Sequence, residues 1–306
     1  MFRKCSGQLK TEIARFTVFL FALITVAVVL SGLRVQNRAY LYADSGIAEG
    51  DLQAMNTDIS IPEKIAGFAA GLVSGDLGQT VQGEDVASHI LDRFLPTLHL
   101  AVFAISVFSA AGMFLALLAV YKGRAFYAFF HFVSNLILST PVFIAAVLLL
   151  VVFFMYTGLL PPGGYEPGLL LYVLMPGTAL GMRIFARIFL FASAEAGAEE
   201  ESSYITILRS RGYSEKRIVF YHIFRKILPV MLIYILLDFS SLLSGAIVVE
   251  DIFFFPGIGK SMYSAIKNMD ENLLRALLFY SGLVFYFFNR SAVYLQGYLM
   301  GQKLER

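Results

Sequence analysis

The sequence is poor in charge and almost without cysteine, and each scarcity removes a class of protein. Asp, Glu, Lys and Arg make up 15% of its 306 residues, against about a quarter in soluble domains. Hydrophobic residues make up 58%, and so few charges cannot cover so apolar a chain in water. A single cysteine, Cys5, excludes an internal disulfide framework. It precedes the first apolar run, so it is not placed like a lipid-modified cysteine behind a signal sequence. Catalytic and metal-binding patterns are missing as well: there is no His-Glu-x-x-His, no Gly-x-Ser-x-Gly and no paired-cysteine site. The four histidines, His89, His99, His131 and His222, lie on separate segments without ligand spacing. The stretch Gly257-Ile258-Gly259-Lys260-Ser261 ends like a phosphate-binding loop, but the first glycine of that pattern would fall on Phe254. The chain therefore reads as no enzyme, with no cofactor, no metal and no nucleic-acid partner. If ATP drives it, another subunit supplies the ATPase.

What the sequence does have is length in its apolar runs. A helix needs about 20 apolar residues to cross roughly 30 Å of hydrocarbon. Six stretches meet or approach that: Phe16–Leu33, Leu95–Tyr121, Val133–Tyr156, Leu169–Phe191, Ile227–Val249 and Ala276–Tyr298. Apolar residues occupy all sides of these helices, as lipid or a membrane bundle demands. The expected fold class is all-α, a polytopic membrane bundle with the bilayer as partner. The first run has a basic start but no small-residue cleavage site behind it, so it is expected to remain as a span.

Basic residues set the expected orientation. They gather in the N-terminal segment (Arg3, Lys4, Lys10, Arg15), after the second span (Lys122, Arg124), and between the fourth and fifth (Arg209, Arg211, Lys216, Arg217, Arg225, Lys226). The alternating segments Arg34–Phe94, Thr157–Gly168 and Glu250–Leu273 are acidic or poor in basic residues. Both termini are then cytoplasmic, and Lys303 and Arg306 agree. This divides the chain into a cytoplasmic start with the first span (1–34), an outer loop (35–94), and a core of five spans (95–306) carrying a cytoplasmic loop at 195–226. Residues 35–61 are polar with weak pattern.

Two places stand out. In the cytoplasmic loop, Glu199, Glu200 and Glu201 precede Ser203, whose hydroxyl suits a helix cap. The spacing predicts a short helix over Tyr204–Arg211, a left-handed Gly212 at its end, and Ser214 capping the next helix toward the fifth span. By physics this knob is either a docking element or an ordinary positive-inside loop. In the fifth span, Asp238 stands near the middle, where a carboxylate facing lipid costs roughly 2.5–3.5 kcal/mol. With Ser240, Ser241 and Ser244 it either lines a translocation path or ties helices together by hydrogen bonds.

Four blocks of residues, in order from Gly75 to near the C-terminus, carry a resemblance. They are Gly75-Asp76-Leu77-Gly78 with Arg93-Phe94-Leu95-Pro96-Thr97-Leu98, and Ser139-Thr140-Pro141-Val142-Phe143 with Leu160-Pro161-Pro162-Gly163-Gly164-Tyr165. The third is Tyr204, Arg209, Arg211, Gly212, Ser214, His222 and Arg225; the fourth is Glu250-Asp251-Ile252-Phe253, Pro256-Gly257-Ile258-Gly259 and Asp270. The sequence resembles the permease subunits of binding-protein-dependent ABC importers, in the dipeptide/oligopeptide/nickel group. It departs from them at Thr206-Ile207-Leu208, where an alanine-containing triplet is usual, at Ser203 in place of an acid, at Pro229, one residue nearer His222 than expected, in the linker before Gly75, which is shortened and lacks the Pro-Gly-Asp-Pro sequence usual after the first span, and in a longer, more acidic stretch over Phe189–Glu201. The resemblance implies a type I importer permease fold in a bacterial cytoplasmic membrane. It implies a substrate, a peptide or else nickel or another small solute, delivered by an external binding protein. It implies two ATPase subunits and a second permease, usually a different chain in this group. The third block is then the ATPase-coupling loop, and Glu250, Phe253, Pro256, Gly257, Gly259 and Asp270 form an outer gate or binding-protein contact. An ion-gradient carrier, a membrane-embedded hydrolase and a non-transporting subunit with the same fold are the alternatives.

Overall fold

The computed structural model describes residues 2–35 and 60–299. Expectations placed on 36–59 and on Lys303 and Arg306 lie outside the described residues. The described chain is helical, with a single isolated β-bridge between Gln79 and Asp85. In chain order the helices are α1 (Phe2–Val35), α2 (Ile61–Ser74), α3 (Val86–Lys122), α4 (Arg124–Ser139) and α5 (Val142–Tyr156). They continue as α6 (Leu171–Glu200), α7 (Ser203–Ser210), α8 (Glu215–Leu243), α9 (Ile247–Ile252), α10 (Ile258–Lys267) and α11 (Glu271–Leu299). Helices α1, α3, α6, α8 and α11 are long and apolar enough to cross a membrane. The pair α4 and α5 makes a sixth span if counted as one, although it bends by 99°. The bend has a local cause. Thr140 leaves the helix at φ −88°, ψ 125°, as a residue before proline must, and Pro141 cannot donate to the turn behind it.

Contacts within the chain group it into two units. In the first, Ile24 and Val28 of α1 pack with Phe68 of α2, flanked by Leu20, Ile65, Leu72 and Phe279. Phe68 and Phe279 meet edge to face at 5.7 Å, a favoured arrangement of aromatic quadrupoles. Helix α2 was not foreseen in what reads as an outer loop. Its start is set by Pro62 and by the Ser60 N–H donating to the Glu63 carboxylate at 3.2 Å, and its end by Gly75 at φ 81°. At 14 residues, about 21 Å by its rise, it is too short to span.

The second unit holds the larger core, built around α6. Glycines let its partners come close: a Cβ on Gly177 would fall on the Phe103 ring and one on Gly181 on the Phe108 ring. On the facing helix, a Cβ on Gly112 would stand 2.8 Å from the Phe185 carbonyl oxygen. Small residues at such crossings give the close packing that joins helices in lipid. Two helix ends differ from the sequence expectation. Helix α6 runs nine residues past Phe191 to Glu200, absorbing part of the expected loop. The fifth span stops at Leu243, because Gly245 turns the chain at φ 108° and Ile247–Ile252 forms a separate short helix.

Candidate functional site

Three places in the larger unit carry the residues singled out by the sequence. The first is the connection from α6 through α7 to α8. Helix α7 begins one residue earlier than expected, so Ser202, not Ser203, holds the cap position, and neither it nor Ser214 makes a side-chain cap bond. The stitching is done by Arg209. Its Nε and Nη2 donate to the two Glu215 oxygens at 2.8 and 3.1 Å, and Nη2 also donates to Glu200 at 2.9 Å. One guanidinium therefore ties the end of α6, the end of α7 and the start of α8, and the two carboxylates hold it more firmly protonated than usual. Between them Gly212 turns at φ 81°, a left-handed conformation that glycine adopts without a Cβ penalty. Beneath this surface Ile205, Ile218 and Ile223 are fully buried. Tyr204 lies by Glu199 and Ser202 without a well-formed bond to either. Burial and the Glu199 carboxylate push its phenol up to about 12.

On the outside of this connection Arg211, Ser214, Lys216, Arg217 and Arg225 are exposed. Arg217 sits over the Tyr213 ring at 4.9 Å, and Tyr213 meets His222 edge-on at 5.5 Å. The third-block residues thus fall into two kinds. Arg209 and Gly212 shape the knob, over the buried isoleucines beneath it; Arg211, Ser214 and Arg225 are displayed by it.

The second place is Asp238. It is buried at 6% exposure, and its Oδ1 accepts a hydrogen bond from the Arg187 guanidinium of α6. Sequence reasoning missed this partner. The signal was available: Arg183 and Arg187 both lie inside the fourth apolar run, and an unpaired charge at that depth costs roughly 2.5–3.5 kcal/mol. Ser244 donates to the Ser240 carbonyl at 3.0 Å, and Ser241, three residues from Asp238 and so on its side of the helix, is exposed. Asp238, Ser241 and Ser244 follow one side of the helix but differ in burial, from buried Asp238 to exposed Ser241.

The third place is the turn joining α8 to α10. Glu250 is completely buried. Its Oε2 accepts from the Lys260 N–H at 2.9 Å, and its Oε1 from Thr97 Oγ1 at 3.2 Å and the Ala246 N–H at 3.4 Å. Thr97 in turn accepts from the Ile258 N–H at 2.9 Å. Burial pushes the Glu250 carboxyl above its ordinary range, while these donors oppose the rise. The glycines of the block are there for room. A Cβ on Gly257 would strike both the Glu250 carboxylate and the Thr97 hydroxyl, and Gly259 runs so close to Gly245 that a Cβ on the latter would come 2.7 Å from Gly259 Cα. Phe253 is buried, its carbonyl accepting from the Gly164 N–H at 2.8 Å. Of this turn, Phe254, at a left-handed φ of 49°, is what reaches the surface. Asp270 belongs to the other unit, where its Oδ2 accepts from Val81 N–H at 2.8 Å and its Oδ1 from Leu273 N–H at 3.1 Å, capping α11.

Apolar helices enough for several crossings, a knob of short helices between two of them and a buried Glu at a Pro-Gly turn make a specific combination. Residues 93–301 match the family described as binding-protein-dependent transport system inner membrane component. The chain belongs to this family. It is a multi-pass membrane protein, the substrate-translocating permease subunit of an ABC importer of the peptide family. A glutathione transport system permease protein, GsiC, of Escherichia coli K12 is 28% identical over 252 residues, covering 81% of each chain. The protein of the same name from Pectobacterium atrosepticum is 27% identical over 249 residues, again 81% of each. A protein of Brucella abortus, provisionally named a peptide transport system permease protein, is 25% identical over 259 residues, 81% of this chain and 82% of its own.

Proposed function

We propose that this permease subunit pairs with a second permease chain, rests on two ATPase subunits and passes short peptides delivered by an external binding protein. Both termini and the α6–α8 connection then face the cytoplasm, and the Glu250 turn faces outside. The peptide class follows the names borne by the relatives. The orientation follows the basic residues. Residues 95–306 form the permease core, with 1–94 as an added span and outer segment.

One observation carries the mechanism: the knob is tied by Arg209 to the ends of both long helices while displaying Arg211 and Arg225. ATP binding closes the ATPase pair, the knobs move with it, and α6 and α8 carry the motion into the bilayer. ATP acts on another subunit and biases a two-state membrane element through differential contacts at this end, as the binding protein does at the other. Glu250, Phe253, Pro256, Gly257, Gly259 and Asp270 then shape the outer gate rather than touch the cargo, leaving Phe254 to meet the binding protein.

Two measurements test this. Cells lacking the chain should lose uptake of labelled di- and tripeptides and of glutathione, and regain at least one of them on complementation; uptake unchanged by its loss would defeat the reading. A cysteine at Arg211 in place of the native Cys5 should resist membrane-impermeant thiol reagents in intact cells and crosslink to an ATPase subunit. Labelling there from outside would reverse the topology.

A further inference from the structure

We propose that Arg183 is a way-station inside the membrane for a carboxylate of the transported substrate, an inference that rests on the peptide reading above. Arg183 and Arg187 stand four residues apart on α6, so they share a helix face. Arg183 lies about 5 Å along the axis from the midpoint of the apolar run Leu169–Phe191, at 1.5 Å per residue. The two cations have one carboxylate between them: Asp238 is paired with Arg187. Arg183 reaches the carbonyl oxygen of Thr140 at 3.4 Å and has no carboxylate within ion-pair distance among the described residues. Among the described residues one positive charge is thus left over in the apolar interior, localised at Arg183.

A second, independent feature lies beside it. Thr140 is the point where α4 and α5 break apart by 99°. Non-helical backbone at membrane depth is tolerated only where protein buries it or water lines it. An uncompensated arginine persists at such depth only beside water or a partner. Both conditions are met together if this break borders a wet path. Within it a guanidinium offers two parallel N–H donors that fit a carboxylate. A peptide supplies that group at its C-terminus or from an acidic side chain. Arg187 stays with Asp238 and takes no cargo itself.

The test uses the assembled transporter with Cys5→Ser and a reporter Thr140→Cys. Its reaction with an anionic sulfonatoethyl methanethiosulfonate and with the cationic trimethylammonium analogue is followed in membranes. The anionic reagent should react faster by about tenfold once intrinsic reactivities are divided out, as steering by a nearby unit charge gives. Arg183→Gln should bring the ratio close to one, and Arg183→Lys should keep most of it. Equal ratios with and without Arg183, or no reaction with either reagent, would overturn the proposal. In transport, Arg183→Gln should slow a tripeptide with a free C-terminal carboxylate far more than its amide, and an acidic side chain should partly replace the missing terminus. If the parent takes up no peptide, the peptide reading fails, and the thiol ratio still decides whether Arg183 makes an anion site. If Arg183→Gln disperses the complex while the thiol ratio holds, Arg183 serves a neighbouring subunit and the inference is wrong.

Discussion

The α6–α8 connection and the α8–α10 turn are both carboxylate-stitched, but by opposite means. At the first, Glu200 and Glu215 sit in the open and share the guanidinium of Arg209. At the second, Glu250 is sealed from solvent and collects backbone N–H groups and the Thr97 hydroxyl. An exposed charge network holds a surface in shape and still lets it yield, because solvent offers each charge an alternative partner. A buried carboxylate has no alternative, so its turn is either fully formed or broken. Under the proposed mechanism, that difference suits a knob that moves with a partner and a turn that keeps its shape.

The largest expected effect breaks the sealed turn. Glu250→Ala strands the Lys260 N–H and the Thr97 hydroxyl in a dry site at about 1–3 kcal/mol each, so the purified protein should lose about 3 kcal/mol or more. Gly257→Ala should act in the same direction, since its Cβ lands on Glu250 and Thr97. Thermal melting of the detergent-solubilised protein reads both. A melting point within a degree or two of the parent for Glu250→Ala would show that the turn is not held this way.

Next comes the other buried carboxylate, paired by charge rather than by backbone. Asp238→Leu leaves Arg187 without its partner, at a cost of about 2–3 kcal/mol. That cost is tempered because the Arg187 side chain is 42% exposed and can turn to a new partner. Asp238→Asn keeps a hydrogen-bond acceptor and should cost less than half as much in melting. If Asn impairs uptake while leaving melting nearly unchanged, the charge serves the path as well as the bundle. If both variants melt and transport like the parent, the pair does neither job.

A third change tests the hinge of the open knob. Gly212 stands at φ 81° with open space around it, so a side chain meets no neighbour and only the backbone resists. Gly212→Val should cost about 1–2 kcal/mol, the left-handed penalty for a branched residue. The protein should still insert, with transport lost and the ATPases detached or hydrolysing without response to substrate. Normal transport with the ATPases bound would remove Gly212 from the coupling role.

The sequence made the long helices legible because composition and length set them: α1, α3 and α11 contain the whole apolar run expected of them, and α6 and α8 contain most of theirs. It also carried the short helix before Gly212 and the glycine's left-handed turn. What it hid depends on chain segments distant in sequence. The partner of Asp238 lies 51 residues away and that of Glu250 at Thr97 lies 153 away, beyond any periodicity. The resemblance of Glu250-Asp251-Ile252-Phe253 and Pro256-Gly257 to a family pattern implied an outer gate or a binding-protein contact. What no local pattern shows is that Glu250 and Phe253 are buried and that the Pro-Gly turn around the carboxylate needs room only glycine leaves. Helix α2 is hidden for another reason: Ile65, Phe68, Ala69 and Leu72 do follow a helical period, but the run is too short for a span and lies in a segment whose charge reads as an outer loop.

The smallest expected effect on stability comes from Arg209, and it separates the two stitches most finely. Removing an exposed ion pair costs at most about 1 kcal/mol, and solvent screens much of that. Arg209→Ala should therefore shift melting by no more than a few degrees, far less than Glu250→Ala. Its effect on function should be larger than its effect on stability. Arg209 joins Glu200 on α6 to Glu215 on α8, so without it the knob can rock while both long helices stay put, and substrate-stimulated ATP hydrolysis should fall relative to basal hydrolysis. Raising salt from about 0.05 to 0.5 M shortens the screening length severalfold, so it should weaken this coupling in the parent and change little in the variant. Arg209→Lys keeps a charge but not the fork that holds two carboxylates at once, and it should fall between the two. If Arg209→Ala keeps full substrate stimulation at every salt concentration, the knob transmits motion through its buried isoleucines alone, and the charge network is decoration on a rigid element.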